Sequence, residues 1–180
     1  CMVSAGTAYK LALGADRNPN PWSDIPEAQV VLVAGSNVAE CFPITTDYLW
    51  RMRDNGGKLI IADPRRTPIC RNADLYLPVK PGMDVALFAG ILHVVLREGL
   101  EDREFIANHT TGFDEVAEYV KRWDPQRTAE ATGVPPASIE KAAMWFGTAE
   151  RAMALHARGI EHHSHGVENV LSLVNLCLAT

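Results

Sequence analysis

Two runs of consecutive apolar residues constrain the fold of this chain more than any other feature. Gln29-Val30-Val31-Leu32-Val33-Ala34 ends at Gly35-Ser36-Asn37, and Lys58-Leu59-Ile60-Ile61-Ala62 ends at Asp63-Pro64-Arg65-Arg66-Thr67. Successive side chains on a strand point to opposite faces, so a strand that is apolar throughout must be covered on both. A parallel sheet with crossover helices on each side meets that requirement. Asp74-Leu75-Tyr76-Leu77-Pro78-Val79 reads as a third strand and Ala152-Met153-Ala154-Leu155-His156 as a late one. Helical spacing fills the intervals: 5–13 closed by Gly14, about 45–55 closed by Gly56-Gly57, and 85–98 closed by Gly99. Further helices are expected at 102–108, 113–122 and 136–146, with a last one from Gly166. This alternation predicts an α/β fold, a doubly wound, mostly parallel, Rossmann-like sheet flanked by helices. No repeat or linker interrupts it, so residues 1–180 are expected to form a single domain.

Composition narrows the function. A net charge of −5 gives no electrostatic reason to expect nucleic acid as a partner. No apolar stretch reaches the roughly 20 residues that span a bilayer, so no membrane span is expected in this segment. Cys1, Cys41, Cys70 and Cys177 form no CxxC pair and no zinc-ribbon spacing, and reduced thiols are expected. The chain opens Cys1-Met2-Val3-Ser4-Ala5 and ends in an apolar run without a closing Gly or Pro, the pattern expected of an internal domain of a longer protein. A lipoprotein beginning at a lipidated cysteine would instead continue into a polar linker.

In a doubly wound sheet, ligands bind beyond the carboxyl ends of the strands. Three loops there have suitable chemistry. Gly35-Ser36-Asn37-Val38-Ala39-Glu40-Cys41 offers close backbone approach and side chains able to bond a phosphate or sugar. Asp63-Pro64-Arg65-Arg66-Thr67 joins a ribose-competent carboxylate to guanidiniums suited to phosphate oxygens. Arg158-Gly159-Ile160-Glu161-His162-His163-Ser164-His165-Gly166 is the third. Asp63 stands near the place where a Rossmann domain puts its ribose carboxylate, but Gly35-Ser36-Asn37 is not GxGxxG, which points to a nucleotide-bearing ligand other than plain NAD. Asp63-Pro64 is equally a turn starter, and Asp84 before Val85 is a natural helix N-cap. His93, in an apolar helix, reads as a satisfied core histidine. Glu161, His162, His163 and His165 suggest a metal site, but such a site wants three or four supported ligands, so hydrogen bonding from the loop to a ligand is expected instead. No nucleophile elbow is present.

Taken in order, these stretches resemble the molybdopterin-dinucleotide oxidoreductases of the dimethyl sulfoxide reductase superfamily, above all nitrate reductase and formate dehydrogenase catalytic subunits. The resemblance runs from Cys1-Met2-Val3-Ser4-Ala5 through Val33-Ala34-Gly35-Ser36-Asn37-Val38-Ala39-Glu40 and Ile61-Ala62-Asp63-Pro64-Arg65-Arg66-Thr67. It continues in Ala73-Asp74-Leu75-Tyr76-Leu77-Pro78-Val79-Lys80-Pro81-Gly82-Met83-Asp84-Val85-Ala86-Leu87, then Phe105-Ile106 with Thr111-Gly112-Phe113, and ends in Gly159-Ile160-Glu161-His162-His163-Ser164-His165-Gly166-Val167-Glu168-Asn169. It implies a domain that holds one of two pterin guanine dinucleotides, a bis(molybdopterin guanine dinucleotide) cofactor around molybdenum or tungsten. Cys1 matches the cysteine or selenocysteine that ligates the metal, a role that suits a soft thiolate. Gly35, Ser36, Asn37, Val38, Ala39, Glu40 and Cys41 would line the pyrophosphate and pterin. Asp63, Pro64 and Arg65 would meet the nucleotide sugar and phosphates. Gly82, Met83 and Asp84 would meet the guanosine end, and Arg158, Gly159 and His162 would approach the pterin. His162-His163-Ser164-His165 departs from the Gln-His-Thr pattern of many relatives.

Formate dehydrogenases of this type usually carry histidine after the metal ligand. Met2 stands there in this chain, as in nitrate reductases of the periplasmic and assimilatory types, which implies oxygen-atom transfer from nitrate. A formate dehydrogenase-like subunit and a non-catalytic, nucleotide- or partner-binding Rossmann-like module are the alternatives. The resemblance further implies a [4Fe–4S] cluster held by sequence upstream of Cys1. Its expected partners are the rest of the catalytic subunit, an electron-transfer subunit or redox carrier, and nitrate or formate as substrate. The expected compartment is the cytoplasm, with the periplasm as alternative. Alone, residues 1–180 are expected to fold but to be apo and inactive, because the family's cofactor cavity is built between domains.

Overall fold

In the computed structural model, which describes residues 2–180, helix α1 (Val3–Leu13) precedes the first strand and is closed by Gly14. Gly14 has φ 76° and gives its N–H to the Lys10 carbonyl at 3.1 Å, a left-handed closure that glycine adopts readily. A 3₁₀ segment, Trp22–Glu27, leads into β1 (Val30–Ala34). A single helical turn, α2 (Val38–Cys41), and α3 (Pro43–Asp54) cross to β2 (Lys58–Ala62). A second 3₁₀ segment, Pro68–Asn72, leads to β3 (Leu75–Leu77). Five helices follow: α4 (Asp84–Arg97), α5 (Arg103–His109), α6 (Phe113–Val120), α7 (Pro125–Thr132) and α8 (Pro136–Thr148). The chain then forms β4 (Ala152–His156), the turn α9 (Arg158–Glu161) and α10 (Gly166–Ala179).

Among the described residues the strands make one four-stranded sheet in the order β3-β2-β1-β4, parallel throughout. Val30 pairs with Lys58 on one side and with Ala152 on the other, and Ala34 pairs with Ala62 and His156. The expected α/β sheet is therefore present, with every pairing parallel. Consecutive residues of β1 divide between two cores. Val30, Leu32 and Ala34 join Ile60, Leu77, Phe88, Ile139, Phe146 and Leu173 on one face. Val31 and Val33 join Ile25, Leu49, Met52, Leu59, Ile61 and Ile69 on the other. This is the double cover that the unbroken apolar runs required.

Several boundaries differ from the sequence expectation, each for a physical reason. The third strand is three residues long rather than 74–79. Asp74 spends its carboxylate on the Leu59 backbone N–H at 2.9 Å, and past Leu77 the chain folds back so tightly that Val79 N–H bonds the Leu77 carbonyl at 2.8 Å. The second long helix starts at Pro43, whose fixed φ suits a first helical position. Asp84 is not an N-cap: it is the first residue of α4 and no side chain caps that end. Helix α7 falls in a stretch for which no element was expected. Asp124 caps it through Gln126 N–H (2.9 Å) and Arg127 N–H (3.0 Å), Pro125 opens it and Gly133 closes it.

Candidate functional site

The sheet order reverses between β1 and β4: from β1 the chain moves outward to β2 and β3, then returns to lay β4 on the other side. At such a switch point the two connections diverge and leave a crevice at the carboxyl ends. Here two glycines form its floor. Gly35, at φ 55°, follows β1, and Gly159 belongs to the turn after β4. Gly159 N–H donates to the Gly35 carbonyl at 2.9 Å, and Gly35 N–H donates to Ala62 O at 2.9 Å. A Cβ at Gly35 would stand 2.6 Å from Ile160 N, and one at Gly159 would stand 2.5 Å from Gly35 Cα. Only glycine permits this backbone-on-backbone approach.

Ser36 and Val38 are buried beside the crossing, Asn37 and Ala39 are half-buried, and Glu40 and Cys41 are exposed. The stretch expected as one loop is thus a loop followed by the turn of α2. Asn37 Nδ2 donates to Glu40 Oε2, while its Oδ1 is buried with no hydrogen-bond partner among the described residues. A buried acceptor without a donor is unfavourable unless something else supplies one. Val33 to Ala39 therefore offers a tight glycine approach and an unmet acceptor together.

A second group, centred on Glu161, joins β4 to the start of α1. Glu161 is 3% exposed, with Oε1 at 3.0 Å from His156 Nδ1 and Oε2 on Arg158 Nη1. His156 Nδ1 stands at that distance without an aligned hydrogen bond. The other nitrogen of that ring, Nε2, bonds the Tyr9 hydroxyl at 2.6 Å. Burial alone would raise the Glu161 carboxyl, but His156 and Arg158 outweigh it and hold the group below the ordinary glutamate range. Burial also pushes the Tyr9 hydroxyl up to about 12, so it stays protonated. The far edge of the Arg158 guanidinium, Nη2, meets the Met2 sulfur. Sequence reasoning missed Tyr9, His156 and Glu161 as a group. The signal available was an acidic residue in an otherwise glycine- and histidine-rich turn directly after a strand.

Two further edges frame the crevice. Asp63, buried after β2, accepts Arg65 N–H at 2.8 Å, and its carbonyl accepts the Tyr76 hydroxyl at 3.0 Å. The turn role expected of Asp63-Pro64 is therefore real. Its effect is to leave Pro64 and the Arg65 side chain exposed. The Arg66 guanidinium lies over the Tyr76 ring at 5.9 Å. After β3, Gly82 (φ 80°) accepts His165 Nε2 at 3.0 Å through its carbonyl, and His163 Nε2 bonds the Gly159 carbonyl at 2.8 Å. The histidine cluster does bond loop backbone, but the protein's own carbonyls. Among the described residues no group of three His, Cys, Asp or Glu side chains could hold a metal ion. Asp84 is buried beside these rings; burial raises its carboxyl above the ordinary value, with His163 and His165 acting in the opposite sense. Met83 and His162 are exposed.

The structure thus brings Gly35, Asn37, Arg158 and Gly159 to one crevice. A chain of contacts through His163 and His165 links it to Gly82 and Asp84. Cys1 lies outside the described residues; its neighbour Met2 is held at the same crevice by Arg158. Cys41 and Cys177 are exposed and Cys70 buried, and all three are free thiols as expected. His93 Nδ1 lies 3.0 Å from Val120 O, a satisfied core histidine. No helix among the described residues is long and apolar enough to cross a membrane. A hollow of about 270 Å³ opens near Ala28 and Arg151, at the amino ends of β1 and β4. That is the wrong end of a parallel sheet for a ligand, and the crevice is the better site.

The comparisons with known proteins agree with this geometry. The family model described as molybdopterin oxidoreductase matches residues 2–180. The assimilatory nitrate reductase catalytic subunit of Bacillus subtilis is 39% identical over all of this chain and 26% of its own length. The F420-dependent formate dehydrogenase subunit alpha of Methanocaldococcus jannaschii is 36% identical over 97% of this chain and 26% of its own. Acetylene hydratase from Pelobacter acetylenicus superposes with a TM-score of 0.87 at 28% identity, over 98% of this chain and 24% of that one. The chain thus spans about a quarter of the length of these relatives. With its model matched over 2–180 and its sheet superposing so closely, this chain belongs to the molybdopterin oxidoreductase family.

Proposed function

We propose that this chain is one wall of the cofactor cavity in a molybdenum-dependent oxidoreductase that reduces nitrate to nitrite. The observation that carries the reading is the Gly35–Gly159 crossing at the switch point, with Met2 drawn to it by Arg158. The residues present fit a bis(molybdopterin guanine dinucleotide) cofactor. The glycine crossing keeps Cβ atoms away from the strand ends, and Asn37 Oδ1 is an unmet acceptor beside it that suits an N–H or O–H of the pterin. Arg65, with its backbone N–H on Asp63, is free to turn its guanidinium to a phosphate. Asp84 offers a carboxylate to the guanine end, and Gly82 and Met83 complete that edge. Arg158, Gly159 and His162 face the pterin, and Ser36, Val38, Ala39, Glu40, Cys41, Asp63 and Pro64 form the surround. Cys1 supplies a thiolate ligand to the metal. Bound there, the pterin-held metal supplies two-electron oxygen-atom-transfer chemistry. A [4Fe–4S] cluster elsewhere in the catalytic subunit and an electron-transfer partner deliver the electrons, and the cytoplasm is the proposed compartment.

Met2 supports nitrate over formate, because a thioether cannot handle a proton where a histidine could. The similarity to formate dehydrogenase alpha subunits keeps formate oxidation as the second reading. The test is made on the whole catalytic subunit, with nitrate plus reduced viologen in one assay and formate plus an electron-accepting dye in the other. Nitrite formation without formate oxidation is expected, and the reverse pattern would overturn the proposal. A subunit that binds no molybdenum and catalyses neither reaction would point to the non-catalytic module.

A further inference from the structure

The contacts around Glu161 form a closed path, of which the cofactor reading uses only Arg158 and its hold on Met2. Tyr9, in the second turn of α1, holds His156 at the end of β4; His156 holds Glu161 in α9; Glu161 holds Arg158; and Arg158 returns to α1 at Met2. Helix α1 is therefore gripped at two points by one short segment, 156–161. Gly166 packs closely between the two segments, where an added Cβ would fall 2.0 Å from Glu161 O and 2.9 Å from Ser4 Oγ. Asn169 Nδ2, fully buried, ties the Ile160 carbonyl to α10 at 2.8 Å. The Glu161 carboxylate and the His156 ring have 3% and 9% of their side chains exposed, whereas Arg158 is 44% exposed. A buried carboxylate held between an imidazole and a guanidinium is a fixed anchor, and a guanidinium hydrogen-bonded on one edge has few remaining orientations for the other.

Resting on the cofactor reading above, we propose that Glu161 and Arg158 are positioning residues that set the place of Met2 and the first turn of α1 relative to the Gly35–Gly159 crevice. Met2 is the receiving point of this device. Its sulfur is a weak acceptor on a flexible stem, and among the described residues Arg158 is its polar partner. Ala5 and Gly6 are buried in the first turn of α1, but its leading edge is not: Met2 and Val3 are exposed, no side chain caps the helix, and no acidic residue lies in that turn. The segment that most needs fixed geometry thus takes it from β4 and α9, across 156 residues of sequence.

Hydrogen–deuterium exchange on the whole catalytic subunit, without and with cofactor, tests this. In Glu161→Gln and Arg158→Gln, exchange over residues 3–8 is expected to rise about tenfold while β1 and α10 stay protected. In the loaded enzyme kcat is expected to fall about 10–100-fold with KM for nitrate within about twofold, since misplacement of a reacting group acts on the chemical step. Met2→Leu, which keeps the volume and removes the acceptor, carries the test where Glu161→Gln does not fold, with a smaller rise over the same residues. Unchanged exchange over 3–8 in both Arg158→Gln and Met2→Leu overturns the proposal, whatever the activity. A wild-type enzyme inactive on nitrate whose variants still show the exchange response sinks the substrate reading and leaves the positioning role standing.

Discussion

At the residue scale, backbone proximity decides what Gly35 and Gly159 can be. A methyl at Gly35 would press on Ile160 N at 2.6 Å from a positive φ, and backbone atoms cannot swing aside as a side-chain tip can. Gly35→Ala is expected to destabilise the fold by about 2–3 kcal/mol, seen as a melting temperature roughly 4–12 °C lower. The Glu161 carboxyl is held below its ordinary range, so its contribution is fully present above the ordinary glutamate value of 4.5 and is lost as the pH falls through the depressed folded value. The melting-temperature gap between wild type and Glu161→Gln should therefore be widest near neutrality and close as the solution is acidified below that value. Asp84 has the opposite sign: burial raises its carboxyl, so its ionised form opposes folding at neutral pH. Asp84→Asn should raise the melting temperature at pH 7 and lower guanine-nucleotide content in the whole subunit. The two glycines were legible in the sequence because each follows a strand. Tyr9 and His156 were not, because 147 residues separate them and neither carries a local pattern.

At the element scale, the buried strands and the long helices followed from hydrophobic period alone, since β1 needs both faces covered and α4 buries most of its length. What escaped was set by side-chain hydrogen bonds and turns. Asp74 shortens β3 by taking the Leu59 N–H, and Asp124 starts α7 in a polar stretch of weak apolar period. Asp124-Pro125 with Gly133 was a usable start-and-stop signal. Asp124→Ala removes the acceptor for two backbone N–H groups and is expected to cost about 1 kcal/mol, measured by urea denaturation with an unchanged m value. The α4–α7 crossing should be less forgiving. A Cβ on Gly90 would meet Thr128 Oγ1 at 2.4 Å and Cγ2 at 2.5 Å, with Thr128 fully buried. Gly90→Ala, although it favours helix locally, should destabilise the protein in the same experiment by about 1–3 kcal/mol.

At the scale of the whole molecule, the strand order β3-β2-β1-β4 puts the reversal between β1 and β4, and the connections after β1 and β4 supply the glycine floor, the unmet Asn37 acceptor and the Arg158 grip on Met2. The position of the crevice was legible in the strand–helix alternation, and the proposal for its occupant rests on the ordered set of loops. One wall of a cavity buries one side of a ligand, so residues 1–180 expressed alone should fold yet keep no molybdenum through gel filtration. Stoichiometric metal in that fragment would contradict this. The most direct measurement takes the whole catalytic subunit and quantifies molybdenum together with the guanine nucleotide released by acid hydrolysis, in wild type and in Arg65→Ala. Metal and guanine nucleotide should both be present in wild type and fall together in the variant. A folded wild-type subunit carrying metal without guanine nucleotide, or neither, would contradict the claim that this domain cradles a pterin dinucleotide.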